Sequence, residues 1–177
     1  MKEKNNKPKL TRTEEKSLAG LRNAARKGDV DKIRQLLDDG VDINIRSKRG
    51  ETALMQASIY GKLNCVQLLL DRGADVNLVS VIDHSAASHA SIYGCVEILK
   101  LLLDHGASVD FKGCLGTTPL ILATMHHHST CVFFLLERGA DITLTDESGK
   151  TALDHRTSED IKKMLTDAAN KTDYVLK

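Results

Sequence analysis

The stretch Ala57-Ser58-Ile59-Tyr60-Gly61 decides the fold, because the same five residues recur 33 positions later at Ala90–Gly94. A second phrase, Gly-Ala followed by Asp or Ser, follows each copy at the same offset and appears a third time, at Gly73–Asp75, Gly106–Ser108 and Gly139–Asp141. A fixed period of this length is typical of a solenoid, in which each unit contacts only its neighbours. We therefore expect a binding surface on a face that the stacked units share.

The residues of one unit predict two short helices joined by a tight turn. Thr52 is suited to cap the first helix, because its hydroxyl can accept a hydrogen bond from a free backbone N–H of the first turn. Gly61 is suited to end it, since glycine adopts the left-handed conformation without strain. The i, i+3, i+4 spacing of apolar residues predicts a second amphipathic helix through Val66, Leu69 and Leu70. We expect Gly73 to end this helix and residues 75–83 to form an extended turn.

Helix, tight turn, helix and extended finger, repeated with this period, closely resemble the ankyrin repeat. The family pattern Gly-x-Thr-Pro-Leu-His-x-Ala is similar to Gly50–Ala57 and most similar to Gly116–Ala123, and the pattern Val-x-x-Leu-Leu-x-x-Gly-Ala-Asp is met at Val66–Asp75. The resemblance covers about residues 13–168. It implies an all-α ankyrin-repeat solenoid of helix-turn-helix units with extended β-turn fingers.

The resemblance implies five units, the first and last acting as caps, at about residues 13–45, 46–78, 79–111, 112–144 and 145–168. We expect a disordered basic tail at 1–12, a C-terminal tail at 169–177, and an array that ends with the fifth unit. The third unit departs most from the pattern, with Asp83 in place of Gly and Ala87 in place of Leu. Removing a buried Leu side chain costs about 2–5 kcal/mol where the site cannot collapse. We therefore predict that the third unit is the least stable part of the array.

Composition argues against several classes of protein. Residues 1–49 carry 14 Lys and Arg against 8 Asp and Glu, but Trp is absent and aromatic residues make up 3 % of the chain, so the stacking platforms of single-stranded nucleic-acid binders are missing. No apolar run approaches the roughly 18 residues of a membrane span, and the charged N-terminus does not read as a signal peptide. Four cysteines without paired motif spacing favour a reducing compartment, the cytoplasm or nucleus.

The sequence offers weak candidates for metal or thiol chemistry. His126-His127-His128 lies in the predicted turn of the fourth unit, where three consecutive side chains cannot all reach one ion, so we expect polar turn residues and no metal. Cys65 and Cys131 occupy one repeat position and are expected to be buried. Cys95 begins a helix, which can lower a thiol pKa, and Cys114 on a finger should be the most accessible thiol. No catalytic set or cofactor-binding motif is present at usable spacing.

The resemblance to ankyrin arrays implies a concave surface formed by the finger tips and the ends of the first helices. We predict that this groove binds a partner protein through a set of residues contributed by all the units: Arg26, Lys27, Lys48, Arg49, Glu51, Ile59, Tyr60, Val81, Ile82, Ile92, Tyr93, Leu115, Met125 and His126, with Glu147 and Ser148 at the far end. Exposed apolar clusters and paired tyrosines commonly mark interaction sites. For Ile59 and Ile92, packing between units is an equal alternative.

The chain is therefore interpreted as a non-catalytic, monomeric protein–protein interaction module acting as an adaptor, scaffold or stoichiometric inhibitor. Two alternatives stay open: the regulatory ankyrin portion of a larger scaffold, and a weak metal- or redox-responsive protein using His126–His128 or Cys114. Asn44 and Asn77 lie in a pattern that resembles asparaginyl-hydroxylation sites of ankyrin repeats. The alternative is that both asparagines only stabilise the turns in which they lie.

Overall fold

The computed structural model describes residues 12–175, and within them the regular structure is helical apart from one isolated antiparallel bridge between Val79 and Ser85. Along this described part of the chain nine α-helices follow in order: α1 Arg12–Lys27, α2 Val30–Asp38, α3 Ala53–Ile59, α4 Leu63–Asp71, α5 Ala86–Ile92, α6 Val96–Asp104, α7 Pro119–Met125, α8 Ser129–Glu137 and α9 Glu159–Val175. Two single 3₁₀ turns lie at Cys114–Gly116 and Ala152–Asp154. The predicted all-α class is confirmed.

The helices form two layers. The first helices α1, α3, α5 and α7 pack one against the next, and the second helices α2, α4, α6, α8 and α9 form a parallel row behind them. Contact is more extensive in the layer of first helices, which have 7 residues in α3, α5 and α7 against 9 in α4, α6 and α8. The ends of the first helices therefore lie in one row along the array.

The predicted start and stop signals of the first helices are confirmed. Thr52, Ser85 and Thr118 cap α3, α5 and α7, their hydroxyls accepting from the backbone N–H three residues on at 3.3, 3.1 and 3.3 Å. Gly61 follows α3 at φ 65°, in the left-handed region. The same place after α7 is held by His127 at φ 60°, and Asp83 has φ 51° where the finger of the second unit has Gly50. At these two positions a non-glycine residue adopts the left-handed conformation of the turn, which costs about 1–2 kcal/mol.

One apolar core runs through the whole array. Cys65, Ile98 and Cys131 share a repeat position and are all buried, so the prediction for the two cysteines is confirmed. The family histidine is replaced in two ways. Met55 and Ile121 are buried as apolar residues, whereas the polar replacements bond to the helix cap: Ser88 Oγ lies 3.1 Å from Ser85 Oγ, and Asp154 Oδ2 accepts from Thr151 Oγ1 at 2.6 Å.

The two ends of the array differ from the predicted boundaries. The predicted tail at 1–12 lies outside the described residues except for Arg12, which begins α1. The last helix begins at Glu159, with Ser158 Oγ accepting from Ile161 N at 3.5 Å, and continues through Val175, past the predicted end at 168. In the fifth unit the first helix is reduced to the 3₁₀ turn at Ala152–Asp154. None of the described helices is long and apolar enough to cross a membrane.

Candidate functional site

The fingers are four copies of one tight turn. In each, a backbone N–H near the start donates to the carbonyl four residues on, as Ser47 N does to Glu51 O at 3.0 Å and Asp146 N to Lys150 O at 2.9 Å. Neighbouring fingers are joined, because Val81 N donates to Arg49 O at 2.8 Å and Glu147 N to Leu115 O at 2.9 Å. The finger tips therefore form an edge of the molecule in which the first finger is joined to the second and the third to the fourth.

Basic side chains strengthen this edge in a way that sequence reasoning missed. Arg46 donates through Nε to Gly50 O at 3.3 Å and through a terminal nitrogen to Val79 O in the next unit. Lys112 stands at the same repeat position two units later, and its Nζ donates to Thr145 O at 3.1 Å. The sequence signal that could have revealed this role is the recurrence of a basic residue at positions 66 residues apart.

The finger tips change in character along the array. Lys48 and Arg49 form an exposed basic tip at one end, and Glu147 with Ser148 forms an exposed polar tip at the other. The two central tips are apolar and open to solvent: Val81 is 65 % exposed, Ile82 55 % and Leu115 65 %. Leu115 is also held at φ 55°, in a region that strains a non-glycine residue.

A second row lies at the ends of the first helices. Tyr60, Tyr93 and His126 are the C-cap residues that directly follow α3, α5 and α7, and Lys27 is the last residue of α1. The two tyrosines are 49 % and 53 % exposed, and His126 is exposed as well. The guanidinium of Arg26 lies 6.0 Å from the centre of the Tyr60 ring, within cation–π range.

Three of the other predicted groove residues, Glu51, Ile59 and Ile92, are less exposed to solvent. Glu51 is half-buried and forms an ion pair with Arg22, whose terminal nitrogen lies 2.5 Å from a Glu51 carboxylate oxygen. Ile59 and Ile92 are half-buried, whereas Met125 is 42 % exposed. The structure thus brings the tyrosines, the apolar tips and Met125 to the surface and engages Glu51 internally.

His126, His127 and His128 lie between the end of α7 and the start of α8. His128 donates through Nε2 to Ile92 O at 2.9 Å, so this ring ties the fourth unit to the third. The rings of His126 and His128 stack 6.4 Å apart, and partial burial, then the neighbouring His128, lowers the pKa of His126. Across residues 12–175 no three His, Cys, Asp or Glu side chains are grouped so as to hold a metal ion.

The thiol chemistry differs from the expectation for Cys95. Burial raises the pKa of the Cys95 thiol, so desolvation outweighs the field of the helix N-terminus. Burial raises the pKa of Cys65 as well, and it raises that of Cys131 to about 11. Cys114 is half-buried, as is Cys95, so accessibility alone does not single it out.

The two asparagines take part in turns between units. Asn44 Oδ1 accepts from Asp75 N at 2.8 Å, and Asn77 Nδ2 donates to Gly106 O at 3.4 Å. These contacts support the turn-geometry role. Hydroxylation of either residue stays a prediction, which intact-mass analysis of peptides from native material would refute if no species with an added oxygen were found.

The family is shown by comparison with known sequences. Three overlapping stretches of the chain, residues 4–80, 21–113 and 78–146, match the sequence family described as ankyrin repeats. No curated protein sequence matches the chain significantly. The repeat period, the two-layered stack of helix pairs and the row of fingers agree with this match. The chain therefore belongs to the ankyrin-repeat family.

Proposed function

We propose that this protein is a non-catalytic binding module that grips a segment of another protein across the concave groove, as an adaptor, scaffold or stoichiometric inhibitor. The observation that carries the proposal is the double row of exposed apolar and aromatic side chains at matching repeat positions. Tyr60 and Tyr93 form one row, and Val81, Ile82 and Leu115 form the other. Tyrosine is enriched among the residues that dominate interface energies, because a large ring is buried at small entropic cost.

The charges of the groove indicate the chemistry of the partner. The end formed by the first two units carries the exposed cations Lys27, Lys48 and Arg49, whereas the opposite tip carries Glu147. A bound segment should therefore place acidic side chains beside the first finger and apolar anchors against the centre. Charge complementarity of this kind acts on orientation and association rate more than on affinity.

The four cysteines are free thiols, which fits a reducing compartment, so we place the protein in the cytoplasm or nucleus.

The groove would bind the partner whether the protein acts alone or as the regulatory part of a larger scaffold. In both cases the groove is the binding surface.

The test is a capture experiment with a matched control. A triple variant, Tyr60→Ala, Ile82→Ala and Tyr93→Ala, removes the central anchors, and we expect loss of the partner that the unmodified protein captures, identified by mass spectrometry. The control removes two exposed apolar side chains that lie outside the predicted groove, through Leu63→Ala and Leu153→Ala. Circular dichroism must show both variants folded. Unchanged capture by the triple variant, or equal loss in the control, would refute the proposal.

A further inference from the structure

The loops that follow the second helices form a ladder along the array. Each loop contributes two apolar residues, two positions apart, that pack into or against the core: Val41 and Ile43, Ala74 and Val76, Ala107 and Val109, Ala140 and Ile142. Side chains join successive loops, since Asn44 Oδ1 accepts from Asp75 N at 2.8 Å and Asp110 Oδ1 from Asp141 N at 3.0 Å. The loops of the first and third units are thus hydrogen-bonded to the loop of the next unit.

The ladder stops after the fourth loop. A fifth loop would occupy positions 169–173, because the buried Ile161 and Leu165 of α9 stand 30 positions after Cys131 and Leu135 of α8, but α9 remains helical through Val175. In its place lies an open cleft of about 720 Å³, lined by Ala140, Ile142, Leu136, Met164 and the ring of Phe133, which is 56 % exposed. The cleft contains none of the residues predicted for the groove.

The rim of the cleft is mainly acidic. Glu137, Asp141 and Asp167 line it together with one cation, Lys171. Thr143 stands at the repeat position of Asn44, and its hydroxyl donates to Asp141 Oδ1 at 2.7 Å. The lone pairs of that hydroxyl can accept a backbone N–H, as the side chain of Asn44 does in the first loop.

We propose that this cleft is a second docking site, which takes an extended, basic segment of another protein with two aliphatic side chains two residues apart. The segment supplies the missing fifth loop of the ladder: its aliphatic pair packs on Ala140 and Ile142, and its cations face Glu137 and Asp167. The spacing is that of the aliphatic pairs in the preceding loops, and the positive charge complements the rim.

Methionine signals in nuclear magnetic resonance test the site directly. The protein is labelled with carbon-13 in its methionine methyl groups and titrated with the synthetic peptide Lys-Gly-Ala-Lys-Val-Lys. Met164 lines the cleft, whereas Met125 is exposed in the predicted groove, so the two signals report on different sites. We expect the Met164 signal, assigned with Met164→Leu, to shift in a saturable manner while the Met125 signal stays in place.

Matched variants test the chemistry. Glu137→Lys should weaken the peptide at least about threefold, the scale of one partly exposed charge pair. Asp71→Lys changes the same helix position two units earlier, outside the cleft, and should leave binding unchanged. A control peptide with serine in place of both aliphatic residues should not shift Met164.

Four results would overturn the proposal. These are equal binding of the serine peptide, equal effects of Glu137→Lys and Asp71→Lys, and a shift at Met125 in place of Met164. The fourth is a Met164 signal that moves on dilution of the protein alone, which would assign the cleft to a second copy of this chain and its lysine-rich residues 2–9.

Discussion

Replacing His89 by Leu should make the stability of the protein less sensitive to acid. His89 lies on α5 with 9 % of its surface exposed, and its Nδ1 is buried without a hydrogen-bond partner among the described residues. Burial, and then the charge of His84 whose ring meets it edge-on at 5.3 Å, lowers the pKa of His89 from 6.5 to about 4. The fourth unit holds Leu122 at this repeat position, 5 % exposed, so a leucine is compatible with the site.

The sign and size of the effect follow from proton linkage. Because the pKa of His89 is lower in the folded chain than in the unfolded chain, the unfolded chain takes up the proton first as the pH falls. The contribution that the neutral His89 makes to the free energy of unfolding is fully present above about pH 6.5 and is lost progressively as the pH falls toward about 4. With those two pKa values the loss is about 2 kcal/mol between pH 7 and pH 5 and approaches about 3 kcal/mol near pH 4.

The measurement is urea unfolding of the unmodified protein and of His89→Leu at pH 7 and at pH 5. Other groups titrate in this range in both proteins, so the comparison is the difference between their two losses of unfolding free energy. We expect the unmodified protein to lose about 2 kcal/mol more than the variant. Equal losses in the two proteins, within about 0.5 kcal/mol, would show that His89 is not held neutral by burial.

Three further predictions concern other parts of the chain. Leu115→Gly should raise the free energy of unfolding by about 1 kcal/mol, because φ of 55° strains a leucine, yet weaken partner capture; a destabilised variant in urea unfolding would contradict this. Hydrogen exchange should find the third unit less protected than the second and fourth, since α5 buries Ala87 where its neighbours bury leucine, and better protection there would refute the idea. Iodoacetamide at neutral pH should alkylate Cys114 before Cys131, whose pKa burial raises to about 11, and mass spectrometry of digested protein would reveal the reverse order.

The helices of the repeat could be predicted well because their signals are local. Thr52 caps α3 through a bond to a residue three positions away, and Gly61 ends it through its own backbone conformation. Such signals do not depend on the rest of the chain. The long α9 could not be predicted in the same way, because the family pattern placed the end of the array at 168 and a tail beyond it, where the helix continues to Val175.

The candidate site could be predicted only in part. Glu51 was assigned to the groove from its place beside the finger, but its carboxylate is taken by Arg22, 29 residues earlier in the chain. The pKa of Cys95 was misjudged for a similar reason, since the burial that raises it comes from packing. Effects that arise between distant residues leave no mark in the spacing of a single sequence.

Periodicity alone established the repeated unit and its helix pair, because caps, glycines and apolar spacing act within a few residues of one another. Packing between units decided which side chains stay at the surface and where the ladder of loops stops. The repeated Ala-Ser-Ile-Tyr-Gly shows the division: Ala57 is buried, Ile59 half-buried and Tyr60 49 % exposed. Exposure depends on how closely the neighbouring helix approaches, which only the stacked array determines.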